Sequence, residues 1–256
     1  MGTRECAPKL IRRMRNFKIT IQYDGTDYHG WQIQSNGRTI QGELTRAVSL
    51  LEHRPVTIYG AGRTDAGVHA EGQVANFFLD RDVDCRVLRD AINGNLDRDI
   101  RIVRVETASE DFNARNSATG KVYRYRIWTD DVVSPFARRY VSHRGGLDVD
   151  SMRKGAAHLI GTHDFTAFTV LDSDVEDHTR SLSTLQIEET ANEISIIVIA
   201  DGFLRYMVRV IAGTLIDVGR GKRTAASVGA ALESRERANA GPTAPACGLT
   251  LVRVDY

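Results

Sequence analysis

The chain has 256 residues, 42% of them hydrophobic and 26% charged, with a formal net charge of +1. This is the composition of an ordinary soluble globular protein, long enough for one large domain or two small ones. No apolar run reaches the length of a membrane span, so an integral membrane protein is excluded. The three cysteines, Cys6, Cys85 and Cys247, are odd in number and far apart. They argue against a disulfide frame and a zinc site, and for a reducing, cytoplasmic compartment.

Arg4, Lys9, Arg12, Arg13 and Arg15 crowd the N-terminus without a hydrophobic stretch. Residues 1–16 therefore read as a flexible basic leader and not as a secretion signal. Phe17, Ile19, Ile21 and Tyr23 then alternate with polar residues, the period of a half-buried strand. Asp24-Gly25 ends that strand, and an aromatic loop follows, Tyr28-His29-Gly30-Trp31-Gln32. Ile40, Leu44, Val48 and Leu51 share one face of a helix that stops before Pro55. Val56 to Tyr59 predicts a short strand, Gln73 to Leu79 another. Asp84 caps a helix carrying Val87, Leu88, Ala91 and Ile92, and Ile100 to Val105 is a further strand.

That order is β-α-β-β-α-β, a ferredoxin-like or split βαβ plan, and it recurs downstream. Lys121 to Trp128 alternates as a strand. A helix follows with Met152, Ala156, Leu159 and Ile160 on its face and Gly161 at its end. Leu182–Ile187 and Ile194–Ile199 predict a hairpin, and Phe203, Leu204, Met207, Val208, Ile211 and Leu215 mark a strongly amphipathic helix over 203–219. A shorter helix starts near Thr224, and Leu249, Leu251 and Arg253 alternate in a last strand. The expectation is an α+β chain of two ferredoxin-like halves whose mostly antiparallel sheets join around a central cleft. Residues 17–113 form the N-terminal domain and 114–256 the C-terminal one.

The stretch Gly60-Ala61-Gly62-Arg63-Thr64-Asp65-Ala66-Gly67-Val68-His69-Ala70 sets one acid among glycines and alanines. A tight turn with an Asx hydrogen bond accounts for such a composition as well as a functional loop does. A dinucleotide fingerprint fails, because its third glycine would fall on Asp65, whose charge opposes a pyrophosphate. No Gly-Lys-Ser/Thr follows for a Walker loop, His158 and His163 do not share a helix face as two metal ligands would, and a Gly-x-Ser-x-Gly elbow is absent. What remains is an aspartate nucleophile or base. Such a group must be ionised at neutral pH, which a nearby guanidinium favours. Arg63 is the local partner, and Arg209, on the 203–219 helix, is one that can approach from the other half.

Two basic clusters stand out, Arg205, Arg209, Arg220, Lys222 and Arg223, and Arg138, Arg139 and Arg144. Acids gather at Asp172, Asp174, Glu176 and Asp177. Within strand 121–128, Tyr123, Tyr125 and Ile127 share one face, and Arg124, Arg126 and Trp128 the other. Arginines interleaved with aromatics suit nucleic acid, where bases stack and phosphates pair, although tyrosines are also good strand residues.

Taken together these pieces resemble the TruA-type tRNA pseudouridine synthases, from about Phe17 to Tyr256. The motifs are Tyr23-Asp24-Gly25-Thr26, Tyr28-His29-Gly30-Trp31-Gln32, Gly62 through Ala70, and Gly72-Gln73-Val74-Ala75. They continue with Asn113-Ala114-Arg115, Lys121-Val122-Tyr123-Arg124-Tyr125, Gly161-Thr162-His163-Asp164-Phe165, Met207-Val208-Arg209 and Pro245-Ala246-Cys247-Gly248-Leu249. Asn116 departs from the pattern, standing where an aromatic is commoner. The resemblance implies isomerisation of uridine to pseudouridine at positions 38, 39 and 40 in the tRNA anticodon arm. It implies a homodimer with no cofactor, no metal and no membrane partner, and tRNA crossing a positive cleft between the subunits. It puts the catalytic aspartate on Asp65, the base-stacking tyrosine on Tyr123 and the helix-borne arginine on Arg209. Arg63 then helps hold the flipped-out nucleotide, and Leu249 lines the uracil pocket. Two other activities use parts of this set: a non-catalytic RNA-binding module, and an aspartate-dependent nucleoside or glycoside hydrolase.

Overall fold

The computed structural model describes residues 14–170 and 175–256. The leader up to position 13, with Cys6, lies outside these residues, as do Asp172 and Asp174 of the acidic group. Strand β1 (Arg15–Tyr23) buries Phe17, Ile19, Ile21 and Tyr23 on alternate positions. It begins at Arg15, inside the stretch expected to be leader. Asn16 is buried there and donates to the carbonyls of Ser109 and Phe112, both at 2.8 Å.

Helix α1 (Ile40–Glu52) is capped by the Thr39 hydroxyl, which accepts from the Gly42 N–H, and it buries Ile40, Leu44, Ala47 and Val48. Strand β2 is only Tyr59–Gly60, shorter than the strand expected from Val56 onward. The reason lies in where the backbone bonds go. The Val56 N–H donates to Ser49 Oγ at 3.0 Å, and the Ile58 carbonyl accepts from Gln41 Nε2 at 2.9 Å. Helix side chains thus replace a strand partner at these positions. Strand β3 (His69–Leu79), helix α2 (Cys85–Gly94, capped by Asp84) and strand β4 (Ile100–Ala108) complete the first half.

The second half runs through β5 (Gly120–Trp128), β6 (Ser142–His143), α3 (Val149–Ala157), β7 (Gly161–Asp164), β8 (Thr179–Glu189) and β9 (Glu193–Ala200). It closes with α4 (Met207–Gly219), α5 (Ala226–Ser234) and β10 (Leu249–Asp255). Two bounds differ from expectation. Helix α3 ends at Ala157, and Gly161, with φ of 115°, opens β7 where it was expected to close the helix. Helix α4 begins at Met207 and not near Phe203, because Tyr206 before it is left-handed.

Among the described residues, ten strands form one sheet in the order β4-β1-β3-β10-β5-β9-β8-β7, with β2 beside β3 and β6 beside β5. Pairing is antiparallel except for β3 with β10 and β5 with β6. Strand β10, though it follows all the others in the chain, lies between the halves: Thr250 stands opposite His69 and Leu251 opposite Ala70. One hydrophobic core runs through both halves, and Cys85 and Cys247 are free thiols. No helix among the described residues is long and apolar enough to cross a membrane.

Asn76 is the polar fastening under this arrangement. Fully buried on β3, it donates to Asn16 Oδ1 at 2.9 Å and accepts from the Ala114 N–H at 2.9 Å, tying β1, β3 and the segment between the halves. Asn76→Ala strands these buried groups and should lower the unfolding free energy by about 2 kcal/mol in urea titration. A change below about 0.5 kcal/mol, the range of ordinary surface substitutions, would remove Asn76 from this role.

Candidate active site

Asp65 lies in the loop between β2 and β3, and the loop is held from both sides. On its own side, the Ala61 N–H donates to the Val74 carbonyl at 2.8 Å, and Gln73 Nε2 donates to the Gly62 carbonyl at 3.0 Å. From the other side, the Trp31 N–H donates to the Thr64 carbonyl at 3.0 Å, and the Tyr23 and Thr64 hydroxyls bond at 2.8 Å. Burial pushes the Tyr23 phenol up to about 12, so it stays neutral in this role. Gly30 has φ of 85°, and a Cβ on it would sit 2.5 Å from the Thr64 carbonyl oxygen. The aromatic loop of the sequence is thus a floor laid directly under the aspartate loop.

The loop does turn, through the Val68 N–H donating to the Asp65 carbonyl oxygen at 3.1 Å. The Asp65 carboxylate points elsewhere: its Oδ2 accepts from Arg209 Nη1 at 3.1 Å, across 144 positions of sequence. The side chains are 21% and 15% exposed, so the pair is substantially removed from water while the carboxylate keeps an open side. Burial raises the Asp65 carboxyl above its usual range, and Arg209, by hydrogen bond and by charge, pulls it back down, with Arg205 adding to that pull.

Arg209 sits in the first turn of α4, and its Nε donates to the Ala244 carbonyl at 2.8 Å. Its guanidinium also lies over the Tyr206 ring, 5.1 Å from the centroid, and Arg205 lies at the same distance from that ring. Tyr206 precedes α4 with φ of 62°, a conformation that costs a non-glycine residue strain of order 1–3 kcal/mol. Sequence reasoning passed over Tyr206. Its only signal was an aromatic between two arginines just before a helix.

The sheet register brings Tyr123 to the same place. Leu251 pairs with Ala70 on one side and with Tyr123 on the other, so the ring lies two strands from the end of the aspartate loop. Tyr123 is buried and meets Phe203 edge-on, with centroids 5.0 Å apart. Burial raises its hydroxyl pKa, and the charge of Asp65 acts in the same direction. Leu249 opens β10, buried and opposite Tyr125. Arg63 is exposed, two positions from Asp65, and pairs with no acid among the described residues. Of the two guanidiniums offered by the sequence, Arg209 is the one that bonds the carboxylate.

Other basic residues are not where sequence proximity suggested. Arg205 and Arg209 stand at the start of α4, while Arg220, Lys222 and Arg223 lie past its far end, where Arg223 binds the Asn239 and Ala240 carbonyls. Arg126 makes a bidentate pair with Glu193 at 2.8 and 2.6 Å, Arg124 pairs with Glu71, and Arg139 faces Asp24 and Asp27. The arginine face of β5 is therefore neutralised by acids. Among the described residues, no group of three or more His, Cys, Asp and Glu side chains is arranged to hold a metal ion.

A family model described as tRNA pseudouridine synthase matches residues 19–115 and 156–256, most of the chain and all of the Asp65 loop and α4. The chain belongs to the tRNA pseudouridine synthase family. A tRNA pseudouridine synthase A from Acetivibrio thermocellus is 43% identical over 246 residues, covering 95% of this chain and 100% of that protein. Family members from Clostridium perfringens and Myxococcus xanthus are each 42% identical over 95% of this chain, and 100% and 92% of their own lengths are covered. The matched family segments include Arg63, Asp65, Arg209 and Leu249, and they leave out Tyr123.

Gly30 gives a direct test of how this family member holds its loop. Gly30→Ala forces a Cβ against the Thr64 carbonyl in a left-handed backbone, and should cost more than about 1 kcal/mol of stability by chemical denaturation. Unchanged stability would show that the two loops do not depend on each other.

Proposed function

We propose that this chain isomerises uridine to pseudouridine in tRNA, with Asp65 as the reacting carboxylate. The observation that carries the reading is the Asp65–Arg209 bond, a half-buried acid held by a cation from the other half of the chain, with Tyr123 two strands from the end of its loop. The reaction cuts the N1 glycosidic bond, turns the uracil and joins C5 to the same ribose, C5 giving up its proton and N1 gaining one, so atoms and electrons balance without a donor. The target nucleotide must leave its stack, which costs a few kcal/mol and is offset by contacts in the pocket. Tyr123 supplies a face for the base, Leu249 an apolar wall, and the exposed Arg63 a cation at the mouth. Holding both fragments in place while the bond is open is worth several orders of magnitude in rate.

Attack on C1′, addition to C6 and removal of the C2′ proton all begin from an ionised Asp65. Arg209 serves each route by keeping the carboxylate charged in a setting that disfavours charge. We further propose that the tRNA positions are 38, 39 and 40 in the anticodon arm. The working form is a cytoplasmic homodimer whose subunits share the tRNA. The strand orders β4-β1-β3-β2 and β10-β5-β9-β8 support reading the two halves as ferredoxin-like units. Membership of the family favours this activity over a hydrolase or a passive RNA-binding module.

Asp65→Asn should reduce pseudouridine formation in unmodified tRNA to background while tRNA affinity stays close to wild type. Turnover by the purified variant, mapped at single-nucleotide resolution, would overturn the assignment. Folding raises the Asp65 pKa, so its contribution to stability is full below the unfolded value and is lost as pH rises through the raised one. The charged group is a cost at neutral pH, so the wild type should lose stability relative to the Asn variant as pH rises through the raised value, read from melting temperatures across that range.

Arg209→Gln removes a hydrogen bond and a positive charge from the carboxylate, so the Asp65 pKa rises further. The acid limb of the single-turnover pH–rate profile should then move to higher pH. An acid limb at the same pH in both proteins would break the link between Arg209 and the ionisation of Asp65.

A further inference from the structure

Lys121 lies near the start of β5, two residues before Tyr123, and the period of two puts its side chain on the face that carries the Tyr123 ring. Its ammonium nitrogen ends 3.1 Å from the point where a Cβ on Gly62 would lie. The place of a side chain at Gly62 is thus taken by the lysine, whose charge stands against the loop that carries Asp65. Lys121 is partly buried, and no carboxylate forms an ion pair with it among the described residues.

The charges that bear on Lys121 are themselves cations. Burial pushes its amine below the usual lysine range, and Arg115 and then Arg180 push it further the same way. Arg115 is exposed on the segment between the halves, where Asn113 Oδ1 accepts from its N–H at 3.0 Å. The Arg180 side chain rests on Gly202, with Nε 3.4 Å from where a Cβ there would lie, and among the described residues it donates to the Asp177 and Thr179 carbonyls. Arg115 and Arg180 therefore both oppose the charge on Lys121, while the carboxylate that acts on Arg180 is that of Asp177. A partly desolvated ammonium in that company is a cost to the free protein, and an anion entering from outside relieves it. The substrate of the proposed reaction carries one such anion per nucleotide.

We propose that Lys121, with Arg115 and Arg180 beside it, seats a backbone phosphodiester of the RNA next to the nucleotide held at Asp65. This rests on the tRNA-isomerising reading above. Lys121 and Tyr123 are about 7 Å apart along the strand, so ring and amine can engage the base and the backbone of neighbouring parts of one strand. Gly62 belongs to the same device, since even a Cβ there would press on the amine at 3.1 Å.

The test measures binding of unmodified tRNA between about 50 and 200 mM salt, for the wild type and for Lys121→Gln and Lys121→Arg. Pseudouridine formation and melting temperature are followed in the same preparations. Lys121→Gln should bind about tenfold more weakly at the low-salt end, with a log–log salt slope shallower by roughly 0.7. Its melting temperature should be equal to or above that of the wild type, because a poorly solvated charge is gone. Lys121→Arg should recover most of the affinity and the slope. Wild-type affinity and slope in Lys121→Gln would overturn the proposal. So would a loss of affinity with an unchanged slope and a lower melting temperature, which marks a packing role. If the wild type forms no pseudouridine in that tRNA, the catalytic reading falls and takes this one with it. If it does, a failed salt test refutes the phosphate seat alone.

Discussion

Two residue pairs, Thr250 opposite His69 and Leu251 opposite Ala70, hold the halves of this molecule in one register. Everything at the site depends on that short parallel pairing. With strands about 4.8 Å apart, the line Ala70–Leu251–Tyr123 puts the tyrosine roughly 10 Å from the exit of the aspartate loop. Because side chains alternate between faces, a slip of one residue would turn Tyr123 and Leu249 to the opposite side of the sheet. The bulge in β10 between Leu251 and Arg253 falls just beyond the line and leaves it intact.

Onto this frame the fold adds one costly contact. A carboxylate taken from water tends to protonate, and a guanidinium left alone in the same place is no better off. Asp65 and Arg209 solve the problem for each other, and neither half of the chain contains the solution. The guanidinium is held in turn by the Ala244 carbonyl and by the face of Tyr206, itself in a strained backbone conformation. Strain, a partly buried charge and a bare glycine under the loop all gather within one small region. The well-packed core of both halves offsets these costs.

Much of the fold was readable because periodicity reports burial. The alternation in Phe17–Tyr23 and in strand 121–128, and the cap at Asp84, appear in the structure where the pattern puts them. Errors came where the backbone finds an unexpected partner. Val56 and Ile58 look like strand residues but bond to side chains of α1, and Gly161 looks like a helix stop but begins a strand. Basic clusters misled for a different reason: adjacency along the chain hides the length of α4, which carries Arg209 and Arg223 to opposite ends. The Asp65–Arg209 pair was among the options but not singled out by spacing, since 144 positions separate its members. Lys121 was within reach of the sequence alone, because the same period of two that orients Tyr123 orients it.

The central position of β10 also bears on how the molecule is made. Its two neighbours, β3 and β5, both come earlier in the chain, and each keeps part of one edge open, beyond the short pairings with β2 and β6, until residues 249–255 exist. Each first-formed half is therefore a sheet with an unsatisfied rim, the kind of surface that recruits stray strands from other chains. Arrival of one short segment closes both rims at once and completes the register of the candidate site in the same step. A nascent chain that lacks β10 accordingly has two open rims, and the rim on β3 stays open for as long as the synthesis of the residues between β3 and β10 takes.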